Sequence, residues 1–437
     1  MHSPPARSRK KVLLLTIQPP GGSGVQSLIF SKLCPYLLDS EWDFHFAGPD
    51  PQLTSVLSSP SDYPTENLHY TRSISRSRVF SILKNRQAEK SPRRILYSGF
   101  QLFFKIVEQL SRHDSMAYLK RGIREAAEQA ESAIDFDVIA GKSPDFNVLE
   151  IAAELAQAYH KPLLAIFDDP HGQRDHDHFY PDDRSRQAKV LDQAQTVLFM
   201  SPKTRERYVQ CGLVTAAKCL TITDSYSPDP DLYRQSDPDQ QHSRANAEIQ
   251  IAHLGNLPHW RPIDTLLEAL RLWVARADSS NLVLHQYGYL DDRARDQIRR
   301  ESALTNLIRL HPAISYQQSH HAAARSDIIL VVIGARHLDN QPSKFFDYLG
   351  HNKPMLVLGP PGNPIQEITN HLGIGVFCDV RNPKSILAGI DRLTTGLPEF
   401  KASYQQHKRD IEAYSANAVA NKWVRVLNGV IDSPANP

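Results

Sequence analysis

The sequence has few cysteines and no long apolar run. Its four cysteines are scattered without CxxC spacing, so neither a zinc site nor a disulfide framework is predicted. A reducing compartment, the cytoplasm, is therefore the expected location. No stretch approaches the ~18 consecutive apolar residues that a membrane-spanning helix requires, and this absence excludes a bilayer span.

The chain also has no large excess of positive or negative charge. The chain has 50 Lys and Arg against 48 Asp and Glu, a formal net charge of +2, which disfavours nucleic acid as a partner. Two nucleotide-binding signatures are absent as well. The loop PPGGSGVQ (19–26) contains neither the GxGxxG motif of dinucleotide-binding folds nor the GK[ST] of a P-loop. Dehydrogenases and nucleoside triphosphatases are therefore disfavoured.

The chain is long enough for two domains, since it has 437 residues of which 41% are hydrophobic. Its start contains an apolar run at 12–17 that leads into the Pro/Gly loop without a small-residue cleavage site. We interpret this run as a first strand and not as a signal peptide.

Short apolar runs alternate with helical patterns along the chain, which indicates parallel sheets. Between 227 and 248 the sequence is rich in Pro, Asp and Gln, as linkers are. We therefore predict an N-terminal domain over 1–226, a second α/β domain over 249–410 and a terminal helix over 411–437. The terminal pattern starts near 398 as one helix, with Trp423 anchored in a core. The predicted strands are 43–48, 136–141, 161–169 and 196–201 in the first domain, and 249–255, 281–288, 306–311, 327–334 and 353–359 in the second.

A helix is predicted to begin near Pro342, with Ser343 and Lys344 in its first turn. The exposed N–H groups of such a turn and the lysine ammonium together favour phosphate binding. Asp347 lies three residues further on, on the same helix face, where it could hold a sugar hydroxyl. The alternative is an ordinary solvated Lys–Asp ion pair.

The segment QPSKFFDYLGHNKPMLVLGP (341–360) resembles the donor-binding segment of the GT-B glycosyltransferases. The resemblance is to the group 1 branch, which builds bacterial surface polysaccharides and has the form PSK-x-x-EYL-x-x-GKPVL. In that branch a loop carboxylate and a second one eight positions later contact the donor sugar and the ribose. Asp339 and Asp347 have this separation, with Asp where Glu is usual. The resemblance implies two Rossmann-like doubly wound domains facing a cleft, with a C-terminal helix that can return to the N-terminal domain.

A second segment, IAHLGNLPHWRPIDTLLEAL (251–270), is similar to the start of the family's C-terminal domain. There, G-R-x-x-x-x-K-G supplies two cations to the donor diphosphate. In this sequence Asn256 replaces the Arg and Arg261 replaces the Lys. The resemblance implies that the donor is held by Arg261, Lys344, Ser343, Asn256 and the two carboxylates, together with a loop containing Gly359, Gly362 and Glu367.

The N-terminal domain offers two candidate loops. Gly21, Gly22 and Gly24 permit positive φ and close backbone approach, as a diphosphate cradle or an acceptor seat requires. The strand end AIFDDPHG (165–172) resembles a D-x-x-DPW segment of related transferases. There Asp168 and Asp169 would orient an acceptor hydroxyl, and His171 would contact leaving phosphate or move a proton. An ordinary Asp-Pro turn is the alternative. No metal site is predicted, including at the nearby His176 and His178.

Residues 72–112 contain ten Lys and Arg against two Asp and Glu, interleaved with apolar residues. This pattern is typical of segments that lie on anionic membrane surfaces, and equally of a helix with a solvated basic face. Both interpretations stay open.

The resemblance as a whole implies a hexosyltransferase that moves a sugar from a nucleotide-sugar to a glycan or lipid-linked acceptor, with retention and without cofactor or metal. Polysaccharide synthesis at the cytoplasmic face of a membrane is the implied setting. One alternative is a nucleotide-sugar epimerase, which would need an acid/base constellation that the sequence does not display. The other is a GT-B protein that binds nucleotide-sugar or glycan without turnover.

Overall fold

The computed structural model describes residues 9–22, 24–50, 63–71, 117–172, 181–227, 229–233, 248–259, 261, 263–276 and 282–433. The predictions for the basic stretch 72–112, for His176 and His178 and for most of the linker lie outside these residues. The chain divides into two compact units. Unit 1 comprises residues 1–200, 204–222 and 420–437, and unit 2 comprises residues 201–203 and 223–419.

Unit 1 is built on a seven-stranded parallel sheet in the order β3-β2-β1-β4-β5-β6-β7. Its central strands are fully buried, so they are continuous apolar runs that do not alternate with polar residues. The order reverses between β1 and β4, where Leu15 pairs with Gly141. The strands are β1 Lys10–Leu15, β2 Trp42–Pro49, β3 Leu68–Thr71, β4 Val138–Lys142, β5 Leu163–Phe167, β6 Thr196–Phe199 and β7 Cys219–Thr221.

Among the described residues, helices lie between most of these consecutive strands, as parallel pairing requires. The helix after β4 is capped by Asp145, whose carboxylate accepts a hydrogen bond from the Asn147 backbone N–H at 2.9 Å. The described helices are α1 Val25–Leu38, α2 Ala117–Ala133, α3 Phe146–Ala158, α4 Pro181–Gln193 and α5 Pro202–Gln210.

Unit 2 repeats the architecture with a six-stranded parallel sheet in the order β10-β9-β8-β11-β12-β13. Its order reverses between β8 and β11, where Leu330 pairs with His253. The prediction of two doubly wound, Rossmann-like α/β units is thus confirmed. The strands are β8 Ile249–Leu254, β9 Leu282–Tyr287, β10 Ile308–His311, β11 Ile328–Val332, β12 Met355–Gly359 and β13 Gly375–Asp379.

The helices of unit 2 pack their apolar faces on both sides of this sheet, in two core clusters. Among the described helices of the chain, none is long and apolar enough to cross a membrane. The helices are α6 Asp264–Val274, α7 Asp292–Arg300, α8 Ser302–Leu307, α9 Tyr316–Arg325, α10 Ser343–Leu349, α11 Pro364–Leu372, α12 Pro383–Thr395, α13 Leu397–Gln406, α14 Lys408–Glu412 and α15 Ala416–Asp432.

The prediction of a single helix from about 398 onward is wrong, since the segment forms α13, α14 and α15. The second break arises because Tyr226 donates its backbone N–H to the Tyr414 carbonyl, at 3.1 Å, and bridges to Ser415. Ser415 then caps α15, its hydroxyl oxygen accepting a hydrogen bond from the Ala418 N–H at 3.2 Å.

The second half of α15 returns to unit 1, as expected for this fold. Trp423 is 1% exposed, and its ring lies 5.8 Å from that of Phe30. Asn428 accepts hydrogen bonds from Trp42 Nε1 at 3.1 Å and from Lys10 Nζ at 2.9 Å.

Candidate functional site

Lys344 in unit 2 is seated on the loop that follows β8. Its ammonium group donates a hydrogen bond to the Leu254 carbonyl. Gly255, with φ of +144°, lies directly beneath, and a Cβ at this position would overlap Nζ. A side chain at position 255 would therefore displace the lysine ammonium from this carbonyl.

The residue Lys344 is exposed, but its ammonium group is recessed against the loop. This loss of water lowers the pKa of Lys344 to about 8, with Arg261 lowering it further and Asp347 opposing the shift. The three charges are thus electrostatic neighbours, and Lys344 remains mainly cationic at neutral pH.

Asp347 is buried, so the alternative of a solvated Lys–Asp pair does not hold. Its Oδ1 accepts a hydrogen bond from the Tyr316 hydroxyl at 3.1 Å. Burial, followed by the Asp347 charge, raises the pKa of Tyr316, which keeps the hydroxyl protonated and able to donate.

Asp339 is also buried, at 5% exposure, in the loop between β11 and α10. This loop is tied to the loop after β12 by Asn363, whose amide donates hydrogen bonds to the carbonyls of Leu338 and Asn340, each at 2.9 Å. The same Asn363 caps α11 by accepting from the Ile365 N–H at 2.9 Å. One side chain thus joins the two loops to which the sequence assigned donor binding.

The remaining predicted donor residues of unit 2 lie in or beside these loops. Ser343 is the first residue of α10. Gly359 ends β12, and a Cβ at this position would lie 2.9 Å from the Phe377 ring. Gly362 has φ of +84°, which favours glycine, and Glu367 is exposed in the first turn of α11.

Asn256 and Arg261 have different environments. The Asn256 side-chain oxygen accepts the Tyr289 backbone N–H at 2.9 Å, joining the loops after β8 and β9. Arg261 is partly exposed, and its positive charge contributes to the lowered pKa of both Lys344 and His253. Of the two positions that carry cations in the resembling family, only 261 therefore keeps a cation near Lys344. Asn256, at the other position, instead holds the loop in place.

Two residues that the sequence analysis missed hold the same loop from below. His253 is buried, and burial together with the Lys344 charge lowers its pKa to about 3, so the ring is neutral. Its Nδ1 lies 2.8 Å from Gln286 Oε1, and Gln286 Nε2 donates to the Gly255 carbonyl at 2.8 Å. The sequence offered one signal for them, since each is a polar residue just before the carboxyl end of an apolar strand.

A recess of about 400 Å³ opens beside this loop. Tyr289 contributes to its wall, and its ring lies 5.9 Å from the Arg295 guanidinium. Arg299 and His311 also line it, so the recess offers both cationic and stacking groups.

Unit 1 carries a second polar cluster, at the carboxyl ends of β1, β4 and β5. Asp168 forms an ion pair with Lys142, whose side chain is 0% exposed, and accepts a hydrogen bond from the Gln26 amide. Thr16 donates to Gln26 Oε1 at 2.6 Å, and Ser143 Oγ accepts the Asp168 N–H at 2.8 Å. Burial raises the pKa of Asp168, and Lys142 opposes this shift. Of these residues, only Asp168 was predicted.

The glycine loop contributes less backbone freedom than expected. Gly21 alone of the three has positive φ, at +93°. Gly24 precedes α1 with an extended backbone, and a Cβ there would displace the Gln18 side-chain amide. Gln18 in turn accepts the Gln26 N–H at 3.1 Å, which positions the cluster residue Gln26.

His171, three residues after Asp168, is held by contacts with Phe146 and Asp183. Its ring stacks on Phe146 at 4.6 Å, and its Nε2 lies 3.5 Å from Asp183 Oδ1. Burial lowers the pKa of His171, and Asp183 partly offsets that shift. Asp169 is exposed at the end of the strand.

No family model and no curated protein matches this chain. Solved structures do match over nearly the whole length. One is sucrose-phosphate synthase from Thermosynechococcus elongatus, with a TM-score of 0.67 and 12% identity, covering 98% of this chain and 100% of that one. This is the GT-B fold.

Two further GT-B structures are similar. HepE from Anabaena, solved with UDP and glucose, has a TM-score of 0.60 and 13% identity, with 96% of this chain and 100% of that chain covered. Trehalose 6-phosphate synthase from Burkholderia multivorans has a TM-score of 0.61 and 12% identity, with 97% and 99% covered. At these identities the likeness shows the fold, and the function has to be argued from the site.

Proposed function

We propose that this protein is a glycosyltransferase that uses a nucleotide-sugar donor. The observation that carries the proposal is the seat of Lys344 on Gly255, with Asp347 and Arg261 as electrostatic neighbours. The seat lies at the carboxyl end of β8, and open α/β sheets bind ligands at such strand ends. The GT-B fold and the binding of UDP and glucose by HepE support the same class of donor.

In the proposed complex, Arg261 and Lys344 bind the donor diphosphate. Arginine does so through a fork of N–H donors and lysine as a point charge. Asp347 and Asp339 accept hydrogen bonds from donor hydroxyls. Ser343 and the loop from Gly359 to Glu367, held by Asn363, complete the donor site, and the recess at Tyr289 borders it.

The chemistry follows from the growth of negative charge on the diphosphate as the glycosidic bond breaks. Lys344 and Arg261 stabilise that charge more in the transition state than in the ground state, so no metal is needed there. The departing phosphate oxygen takes the proton of the acceptor hydroxyl on the same face of the sugar. Retention of anomeric configuration, as in the group 1 branch, is part of this proposal.

We assign acceptor recognition to unit 1. The Asp168 cluster, the exposed Asp169, the loop of Gly21 and Gly22 and the edge of His171 are the groups proposed to contact the acceptor. A glycan or a lipid-linked sugar, in polysaccharide synthesis on the cytoplasmic side of a membrane, is the proposed acceptor class. The basic stretch 72–112 would then contact anionic lipid.

A second candidate function is favoured by Asn256. The family's Arg at this position is replaced by a side chain that bonds to the Tyr289 backbone. A protein with one diphosphate cation fewer could bind nucleotide-sugar without turning it over.

The experiment that separates these functions is a thermal-shift and hydrolysis screen against UDP-, GDP-, ADP- and CMP-sugars. We expect one donor to raise the Tm of the wild type and to be hydrolysed slowly, and Lys344→Ala to lose both effects. Lys401→Ala, an exposed lysine of α13 in the same unit, is the matched control. Binding without hydrolysis or transfer would favour the binding protein, and absence of any donor effect would refute both functions.

A further inference from the structure

Three metal-ligand side chains meet on the surface of unit 2, where α11 meets the turn between α13 and α14. Asp410 Oδ2 lies 3.1 Å from His407 Nδ1 and 3.9 Å from His371 Nε2. All three ligand atoms lie within 4.8 Å of one another. We infer that His371, His407 and Asp410 form a binding site for a late first-row divalent metal ion such as Zn²⁺.

The distances suit such an ion. Ligands about 2.0–2.1 Å from a tetrahedral zinc lie about 3.3 Å from each other. The 3.1 Å between His407 Nδ1 and Asp410 Oδ2 already lies near this value. The 3.9 Å between Asp410 Oδ2 and His371 Nε2 has to shorten by about 0.6 Å, which requires a movement of the His371 side chain. That side chain is 71% exposed, so this movement meets little resistance.

The backbone that carries the ligands is held firmly. Each ligand has a neighbour in one core cluster: Leu372 next to His371, Tyr404 one turn before His407, and Ile411 next to Asp410. His407 also bonds through its N–H to Ser403 and through its carbonyl to Ile411, both at 2.9 Å. The site therefore joins two core-anchored segments through two exposed side chains and the half-buried His407.

The ligand chemistry selects the class of metal. Two imidazoles and one carboxylate favour Zn²⁺, Ni²⁺, Co²⁺ or Cu²⁺, whereas Mg²⁺ and Ca²⁺ prefer oxygen ligands throughout. Three protein ligands leave further positions to water. Without metal, Asp410 instead pairs with His407.

The site is distinct from the proposed donor site. His371 lies in the last turn of the nine-residue helix α11, and Asn363, which holds the donor loops, caps its start. The two ends are about 12 Å apart along the helix axis. Bound metal would thus tie α11 to α14 and stabilise unit 2 without contacting the donor.

Calorimetric titration of the chelator-treated, tag-free full chain with Zn²⁺ tests this inference. We expect one saturable site in the wild type, weakened at least about tenfold in His371→Ala and in Asp410→Asn, because each removes a direct ligand. The control is His160→Asn, which removes an exposed histidine of unit 1 and keeps a residue that tolerates its φ of +54°.

Two further readouts do not depend on activity. Co²⁺ should give a visible d–d absorption band in the wild type and in the control but not in the two ligand variants. Zn²⁺ should raise the Tm of the wild type and of the control and leave the Tm of both variants unchanged. Variants that titrate like the wild type, or a wild type with no saturable Zn²⁺ binding, would overturn the proposal. Circular dichroism of each variant establishes that it is folded.

Discussion

The first six strands of unit 1 and the six strands of unit 2 follow the same sheet order, but the two units hold their charged side chains in opposite ways. In unit 1 the Lys142 ammonium is buried and its charge is met by the Asp168 carboxylate, with Gln26 and Ser143 completing the cluster. In unit 2 the Lys344 ammonium bonds to a backbone carbonyl, which carries no net charge to neutralise it. The Asp347 carboxylate is engaged by a tyrosine hydroxyl.

This difference separates a cluster whose cation is bonded to a carboxylate from one whose cation is bonded to a carbonyl. A cation that is already neutralised gains little from an incoming anion, whereas a cation held by a carbonyl gains a great deal. Topology places polar groups at the same edge of both sheets, and the local partners decide which edge can take a diphosphate.

The largest expected effect is on the stability of unit 1. Asp168→Ala leaves Lys142 buried without its carboxylate, which should lower the free energy of unfolding by about 3–5 kcal/mol. Hydrogen exchange should show lost protection in β4 and β5 and unchanged protection in unit 2. Asp182→Ala, at an exposed position of α4, is the control and should cost about 0.5 kcal/mol or less. Equal protection in both variants would contradict the stabilising role.

The seat of Lys344 can be broken from the loop side. Gly255→Ala places a methyl group where Nζ lies, so donor turnover should fall by about 10²-fold as the cation is displaced. Gly212→Ala is the matched control, because Gly212 also has positive φ but a methyl group added there would meet no other atom within 4 Å. If both variants lost activity equally, backbone strain and not displacement would be the cause.

The pH dependence gives a smaller and signed effect. The pKa of Lys344 is lowered to about 8, so its positive charge is present below that pH and is lost as the pH rises through it. The value of kcat/KM should therefore fall by up to about tenfold per pH unit above 8. Lys344→Arg should shift this decline beyond the measurable range, since arginine stays charged. A wild-type profile that stays level to pH 10 would rule out Lys344 as the titrating cation.

The smallest predicted effect concerns the tyrosine behind Asp347. Tyr316→Phe removes the hydrogen bond to the carboxylate, which should cost about 1 kcal/mol, or about fivefold in kcat/KM. Tyr404→Phe removes a comparable hydrogen bond, from the hydroxyl to the Lys353 carbonyl at 2.7 Å, and should alter Tm but not kcat/KM. Equal kinetic losses in the two variants would show that Tyr316 acts only through stability.

Much of the fold followed from the sequence because buried parallel strands are short apolar runs. The helix at Lys344 and Asp347 was also predictable, since both residues belong to one local segment. The terminal region was not, because its break near Ser415 depends on pairing with Tyr226, which lies 189 residues earlier in the chain.

The supporting residues of both clusters escaped prediction for the same physical reason. Lys142 meets Asp168 across 26 residues, Gln26 meets it across 142, and Tyr316 reaches Asp347 across 31. None of these pairs has a helical or strand period. Only the folded sheet, which aligns the carboxyl ends of strands distant in sequence, brings them together.

The return of α15 to unit 1 has a consequence for synthesis on the ribosome. Trp423 and Asn428, which contact Phe30, Trp42 and Lys10, are translated roughly 200 residues after the preceding segment of that unit. At a translation rate of about 5–20 residues per second, the apolar surface around Phe30 is exposed for about 10–40 seconds before its covering helix is synthesised. During that interval this apolar surface stays uncovered, and unit 2 is fully translated before unit 1 can close its core.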